Sequence, residues 1–299
     1  MFEYTAEQKV YDIAGVKVGG KPGENPSVLI GSMFYRGHNI VSDTDKGIFD
    51  KGKAKSLLDR EEEIMLDTGC KRIIDVIGDS GQALINFVEW VAANTTSPIL
   101  VDSAIPKARM EAIRHFAGTE LMPRLVYNSM EAYFKEDEME CIKECGIKSA
   151  VILPLTTKAI KPKDRVQLLK EKMLPAAEAA GLENFLIDLG ILDIPSVAWA
   201  TQAAQTVKNE LGLPWGCAPS NAIYLWKKLR DRGAPAFEAA ASVVYSMPLC
   251  WGASFIFYGP TRNAKWVYPA CSAVDAILAY GGMNLGYRPG PEHPLYKIF

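Results

Sequence analysis

The sequence predicts an α/β protein, a single (β/α)8 TIM barrel. Three observations lead there. Short apolar, β-branched runs alternate with longer amphipathic stretches, eight such runs fall at even spacing, and no linker or composition break interrupts the 299 residues. In order the runs are SVLIGSM (27–33), RIIDVIG (72–78), PILVDSA (98–104), PRLVYNS (123–129), SAVILPL (149–155), NFLIDLG (184–190), LPWGCAP (213–219) and ASFIFYG (253–259). Between them AKSLLDREEEIMLDTG (54–69), GQALINFVEWVAAN (81–94) and DRVQLLKEKMLPAAEAAG (164–181) carry apolar residues at helical spacing, and two of these end in glycine, which suits a helix terminus. Strands alternating with helices require parallel pairing through crossovers. A dinucleotide-binding sheet would want GxGxxG after its first strand; here Gly19-Gly20-Lys21-Pro22-Gly23 precedes that strand and reads as a turn. One domain is expected over 1–299, with 1–26 an N-terminal segment, in hairpin form, closing the barrel's bottom. Two helices, near 221–232 and 235–247, are expected before the last strand.

Composition narrows the function classes. Hydrophobic residues make up 48% of the chain, ample for a large core, and the formal net charge of -2 argues against a general nucleic-acid binder. No apolar run reaches the roughly 18 residues a membrane span needs, and MFEYTAEQKVYDIAG has no signal-peptide apolar segment. Six scattered cysteines (Cys70, Cys141, Cys145, Cys217, Cys250 and Cys271) suit reduced thiols in a cytoplasmic protein.

A barrel of this type builds its active site at the C-terminal ends of its strands. Those ends carry Asp75, Asp102 with Ser103, Asn128 with Ser129, Thr156 and Thr157, Asp188, and Ser220 with Asn221. Such residues are also preferred helix N-caps, so each alone has a bland explanation. Asp102 and Asn128 stand somewhat before their helices, which weakens it for them. His38, His115 and His293 are widely separated, so no zinc site is expected, and Cys141 and Cys145 read as buried thiols on one helix. No Walker loop, nucleophile elbow or Ser/His/Asp set can be read. Carboxylates accept paired hydrogen bonds from an amidine-like edge, such as the 2-amino-4-oxo-pyrimidine of a pterin. The rival is a glycosidase with two barrel-top carboxylates and Trp199, Trp215 or Trp251 as sugar platforms. Trp251 and Tyr258 are otherwise expected in the core.

These residues resemble a known family. GGKPGENPSVLIGSMFYRGHNIVSDTDKGIFDK (19–51) is similar to the N-terminal signature of the H-subunit family of tetrahydromethanopterin S-methyltransferase, with further similarity in ILVDSAIPKAR, RLVYNSMEA, LIDLGILDIPS and FIFYGPTRNAKWVYPACSAVDAILA. The strand-end motifs also resemble those of methyltetrahydrofolate:corrinoid protein methyltransferases, which are pterin-binding TIM barrels. The resemblance implies pterin contacts from Asp102, Ser103, Asn128, Asp188, Ser220 and Asn221, with Asp75 a weaker match, and gives Asn221 the place near N5 as the catalytic residue. It implies methyl exchange between N5 and the cobalt of a corrinoid. No Asp-x-His-x-x-Gly stretch is present, so the methylcobalamin-type corrinoid is expected on a separate partner protein docking over the barrel mouth. A homodimer is implied as well, and no metal in this chain. KAIKPKD (158–164) resembles a loop found after the fifth strand, but the glycine-rich insertion of the archaeal pattern is missing after Leu155. On that ground the expected pterin is tetrahydrofolate, used by a soluble relative; the alternative is the H subunit of the archaeal tetrahydromethanopterin:coenzyme M complex.

Overall fold

The structure, a computed structural model, describes residues 3–298. Its first element is a hairpin of β1 (Val10–Ile13) and β2 (Val16–Gly19). Ala14 and Gly15 both take positive φ at its tip, the conformation a two-residue hairpin turn needs. The eight barrel strands follow: β3 (Val28–Met33), β6 (Lys71–Ile77), β7 (Ile99–Asp102), β8 (Leu125–Glu131), β9 (Ser149–Leu153), β10 (Asn184–Asp188), β11 (Trp215–Cys217) and β12 (Phe255–Pro260). A small ladder of β4 (Val41–Asp43) and β5 (Ile48–Phe49) sits between β3 and the first helix. Each barrel strand pairs in parallel with its neighbours, and β12 against β3 closes the ring.

Helices return the chain to the bottom of the barrel. They are α1 (Lys51–Thr68), α2 (Gly81–Asn94), α3 (Pro106–Phe116), α4 (Glu136–Cys145), α5 (Pro162–Leu168), α6 (Leu174–Ala179), α7 (Val197–Thr206), the short α8 (Pro219–Ile223) and α9 (Lys227–Arg230), α10 (Ala234–Cys250) and α11 (Ala264–Met283). The sequence pattern suggests one helix over 164–181. Instead a wide π turn, Leu169–Met173, separates α5 from α6. Pro175 lies just beyond it, and a proline has no N–H for the carbonyl four residues back. Likewise the stretch expected as a helix near 221–232 is divided into α8 and α9.

Two apolar layers flank the strands. Outward-facing residues pack under the helices, whereas Val28, Ile30, Ile73, Leu100, Val126, Val151, Leu186, Phe255 and Phe257 fill the interior and meet Ile13 and Val18 of the hairpin. The hairpin therefore supplies side chains to the barrel floor. Trp215 and Tyr258 are fully buried; Trp251, expected in the core, is 50% exposed because it lies in the loop before β12. Tyr258 donates to Glu61 of α1, a buried carboxylate that also accepts from Tyr268 and lies 3.6 Å from Arg72 Nη1. That network ties wall to helix, away from the mouth.

Candidate functional site

Side chains in a strand alternate faces, so the inward position two residues beyond the apolar floor faces the same way. Continuing from Ile30, Ile73, Leu100, Val126 and Leu186, that step reaches Ser32, Asp75, Asp102, Asn128 and Asp188. One polar layer thus rests directly on the apolar floor. Register agrees: Ser32 pairs with Asp75, and Asp102 with Asn128.

The capping explanation can now be judged residue by residue. Asp75 and Asn128 lie within their strands, and α3 is preceded by Ile105 with no side-chain cap. Asp102 is a strand residue, not a cap. Asp188 Oδ1 does accept from the Gly190 N–H at 2.8 Å, which shapes the turn after β10 and leaves its second oxygen for other donors.

Burial dominates the electrostatics of this layer. It pushes the Asp75 carboxyl up to about 6, against the Ser32 hydroxyl, which donates to Oδ2 at 2.6 Å, and against Asp102 and Asn128 beside it. Asp75 Oδ1 is buried with no partner beyond the Asp102 and Asn128 side chains. Asp102 is raised well above the ordinary carboxylate range, first by burial and then by the charge of Asp75, with Arg109 opposing. Two carboxylates within hydrogen-bonding reach share a proton readily, since both cannot ionise cheaply. Asp188 is raised to about 6 by burial, opposed by the Gly190 N–H and by Arg165.

Beneath Asp102 lies a buried support. Arg109 donates to the Ser103 carbonyl and, at 2.9 Å, to Glu138 Oε1, which also accepts from Tyr127 at 2.5 Å. The Arg109 guanidinium lies 5.1 Å from the centre of the Tyr127 ring. Ser103 is buried with its Oγ accepting from the Ile105 N–H, so its hydroxyl helps form the loop after β7. On β8 the register shifts between Asn128 and Met130, leaving Ser129 as the extra residue. Arg165, fully buried, holds the Leu189 and Gly190 carbonyls behind Asp188.

Beside the layer opens a cavity of about 660 Å³, whose lining includes Ser32, Tyr35, Ser220, Asn221, Tyr224 and Arg262 but none of Asp75, Asp102, Asn128 and Asp188. Ser32 joins it to Asp75. Ser220 is buried and Asn221 exposed to the cavity, both on α8. Gly259, at φ +78°, lets β12 end against them: a Cβ there would meet Ser220 Cβ at 3.0 Å. Thr156, by contrast, accepts from the N–H groups of Lys158 and Ala159 and serves as a turn. Ser32, Tyr35, Arg109 and Arg262 were not singled out from sequence. Ser32 could have been, by its two-residue step from Ile30; the others depend on pairings distant in the chain.

The arrangement suits a flat, donor-rich head group laid over carboxylates. The Asp75–Asp102 pair does not suit a glycosidase, because its two carboxyls lie within hydrogen-bonding reach of each other, closer than the roughly 5 Å that even retaining enzymes keep. Nor do Trp199, Trp215 or Trp251 line the mouth cavity. Among the described residues no group of three His, Cys, Asp or Glu could hold a metal ion, and no helix is long and apolar enough to cross a membrane. The six cysteines are free.

Comparison with known proteins agrees with this geometry. The family model described as tetrahydromethanopterin S-methyltransferase MtrH subunit matches residues 6–289. The chain is 37% identical to the tetrahydromethanopterin S-methyltransferase H subunit of Methanopyrus kandleri, over 98% of each chain. It is 31% identical to the corresponding protein of Methanothermobacter thermautotrophicus over the full length of both. Among solved structures it resembles dihydropteroate synthase of Xanthomonas albilineans, with TM-score 0.61 and 18% identity, covering 91% of this chain and 98% of that one. Dihydropteroate synthase of Yersinia pestis is similar, with TM-score 0.62 and 15% identity over 90% and 99% of the two chains. At such identities these two show the barrel fold alone.

Proposed function

Because this chain belongs to the H-subunit family of tetrahydromethanopterin S-methyltransferase, we propose that it is the methyltransferase that moves a methyl group between N5 of a tetrahydropterin and a corrinoid carried by a partner protein. The observation that carries the reading is a carboxylate layer with spare acceptor capacity beside an open mouth: Ser32, which donates to Asp75 Oδ2, lines the mouth cavity, and Asp75 Oδ1 has only the neighbouring Asp102 and Asn128 side chains as partners. The N–H groups of a pterin's pyrimidine edge would supply what that layer lacks. In this reading Asp102 and Asp188 anchor the edge, Asp75 backs Asp102, and Asn128 serves the ring's mixed donors and acceptors. Ser103 and Ser220 shape the walls.

The relatives' names favour tetrahydromethanopterin over the tetrahydrofolate expected from the loop after Leu155. Both molecules present the same ring to these residues. A neutral tertiary amine is a poor leaving group, so demethylation at N5 needs a hydrogen bond that strengthens as charge develops there. Asn221 reaches the cavity with its amide free of intramolecular bonds among the described residues, and can donate when the methyl leaves or accept from the secondary amine when it arrives. The corrinoid, when its partner presents it over the mouth, supplies the cobalt that gives or takes the methyl group. Exposed Val243 and Met247 on α10, beside Ile277 and Tyr280 on α11, support a homodimer through the barrel's flank. We place the protein in the cytoplasm, where free thiols persist.

The test is anaerobic: methylcobalamin, free or on a corrinoid protein, is mixed with enzyme and either tetrahydromethanopterin or tetrahydrofolate. Enzyme-dependent loss of the methyl–cobalt absorbance with tetrahydromethanopterin is the expected result. Turnover with tetrahydrofolate alone would reverse the choice of pterin, and silence with both would overturn the function.

A further inference from the structure

The polar layer accounts for one end of a substrate, yet the mouth cavity has a second chemical character. Among the described residues no carboxylate lines it, and Arg262 is the only cation that does. Arg262 makes no ion pair among those residues, although Lys265, one turn on, pairs with Glu238 at 3.3 Å and Arg36 on the same rim pairs with Asp79 at 3.1 Å. Its backbone is held from both sides. Thr261 Oγ1 donates to the Ser32 carbonyl at 2.9 Å, and Asn263 Nδ2 donates to the Tyr224 hydroxyl at 2.9 Å, both Thr261 and Asn263 being buried. The exposed guanidinium thus starts from a fixed base at the end of β12. Nearby, Tyr35, another lining residue, stacks its ring on His38 with centres 4.5 Å apart, and its hydroxyl is buried without a partner. His38 uses Nδ1 to accept from the Phe34 N–H, and burial followed by the charge of Arg262 pushes it down to about 4, so it adds no competing cation.

We propose that Arg262, with the Tyr35 hydroxyl beside it, seats a carboxylate or phosphate borne by a substrate at the barrel mouth. Guanidinium groups suit this role because they are weakly hydrated and offer paired donors. The inference rests on the proposed pterin reading. Two sources carry the chemistry: the acidic side chain of the tetrahydropterin and the phosphodiester of the corrinoid's nucleotide. The shared cavity favours the first, since a ring lodged over Asp75 next to Ser32 would extend along the wall that ends at Arg262.

Calorimetric binding and methyl-transfer kinetics should be measured for wild type, Arg262→Ala, Arg262→Lys and Tyr35→Phe. The probes are tetrahydrofolate or tetrahydromethanopterin, which bear acidic side chains, 6-methyltetrahydropterin, which bears none, and methylcobalamin against methylcobinamide, which lacks the phosphodiester. Arg262→Ala should weaken the acidic pterins by roughly 10- to 100-fold while 6-methyltetrahydropterin changes less than about twofold. Arg262→Lys should recover part of the loss, and Tyr35→Phe should cost a few-fold. A loss for methylcobalamin that methylcobinamide does not share would keep the anion seat but assign it to the corrinoid. Equal effects on every probe would overturn the seat. Failure of the wild type to bind any pterin would instead overturn the functional reading beneath it.

Discussion

Two buried aspartates, one at each end of the barrel, have similar surroundings in bulk and opposite bonding. At the floor, Asp275 of α11 accepts from the Ser27 N–H at 2.8 Å and the Ser27 hydroxyl at 2.6 Å, so both of its oxygens are engaged. At the mouth, Asp75 is just as buried, but one oxygen has beside it only Asp102, itself a carboxyl, and Asn128. Burial raises both carboxyls, to about 7 and about 6. Neither burial nor a raised pKa therefore separates a structural carboxylate from one proposed to meet a ligand. Between these two, unmet hydrogen-bonding capacity does, because a buried acceptor left without a donor costs stability that a ligand can return; Glu61 Oε2 is also short of a hydrogen bond but has the Arg72 charge 3.6 Å away.

The difference can be broken by mutation, and the largest effect should come from neither of these two aspartates. Arg72 neutralises buried Glu61 and also donates to the Leu58 carbonyl and to Ser97 and Thr95 hydroxyls. Arg72→Met should cost about 3–5 kcal/mol in denaturant unfolding, with pterin affinity per folded molecule unchanged. At the mouth, Asp102→Asn or Asp188→Asn should lower pterin affinity by ~10–150-fold, about 1.5–3 kcal/mol, while leaving the unfolding midpoint equal or higher. If calorimetry shows both variants binding pterin as the wild type does, the anchor assignment is wrong. At the floor, Ser27→Ala should cost roughly 1–2 kcal/mol of stability and no affinity.

The smallest effect concerns pH and sharpens the contrast. A carboxyl raised in the fold binds its proton more tightly there than in the unfolded chain. Its stabilisation is complete below the ordinary range near ~4 and is lost as pH rises through the folded value. Unfolding midpoints of the free protein should thus decline as pH rises through about 6 for Asp75 and Asp188 and about 7 for Asp275. Asp275→Asn should remove the upper part of that decline. Pterin N–H donors favour ionised carboxylates, so pterin affinity should fall as pH drops below about 6, and should do so equally in Asp275→Asn.

Much of this is legible in the sequence because it depends on local pattern. Eight β-branched runs specify eight strands, and strand alternation aligns Asp75, Asp102, Asn128 and Asp188 once the apolar floor is known. Asp102 in isolation reads equally well as a helix cap; its pairing with Asn128 places it inside a strand. What escapes is set by partners far apart in the chain. Arg109 matters through Glu138, Arg165 through the turn after Asp188, and the proposed role of Arg262 through Tyr35 and the cavity both line. A lone arginine in a sequence carries no sign of which carboxylate, if any, it will meet. The folate expectation has a different weakness: it leans on one loop, whereas similarity along the whole chain to the methanopterin-dependent relatives speaks for the other pterin.

The closure of the ring has a consequence for how the chain acquires its shape. β3 is synthesised before the other barrel strands, yet one of its edges is satisfied only by β12, and the Thr261–Ser32 bond beside that seam spans 229 positions. A growing polypeptide therefore holds an unpaired strand edge until β12 has left the ribosome. Exposed edges invite pairing with other chains, and contacts of such sequence separation form slowly. Refolding should accordingly be slow and prone to aggregation at high concentration. A circular permutant opened in an exposed loop on the far side of the barrel, with the seam strands joined early, should refold faster to the same structure.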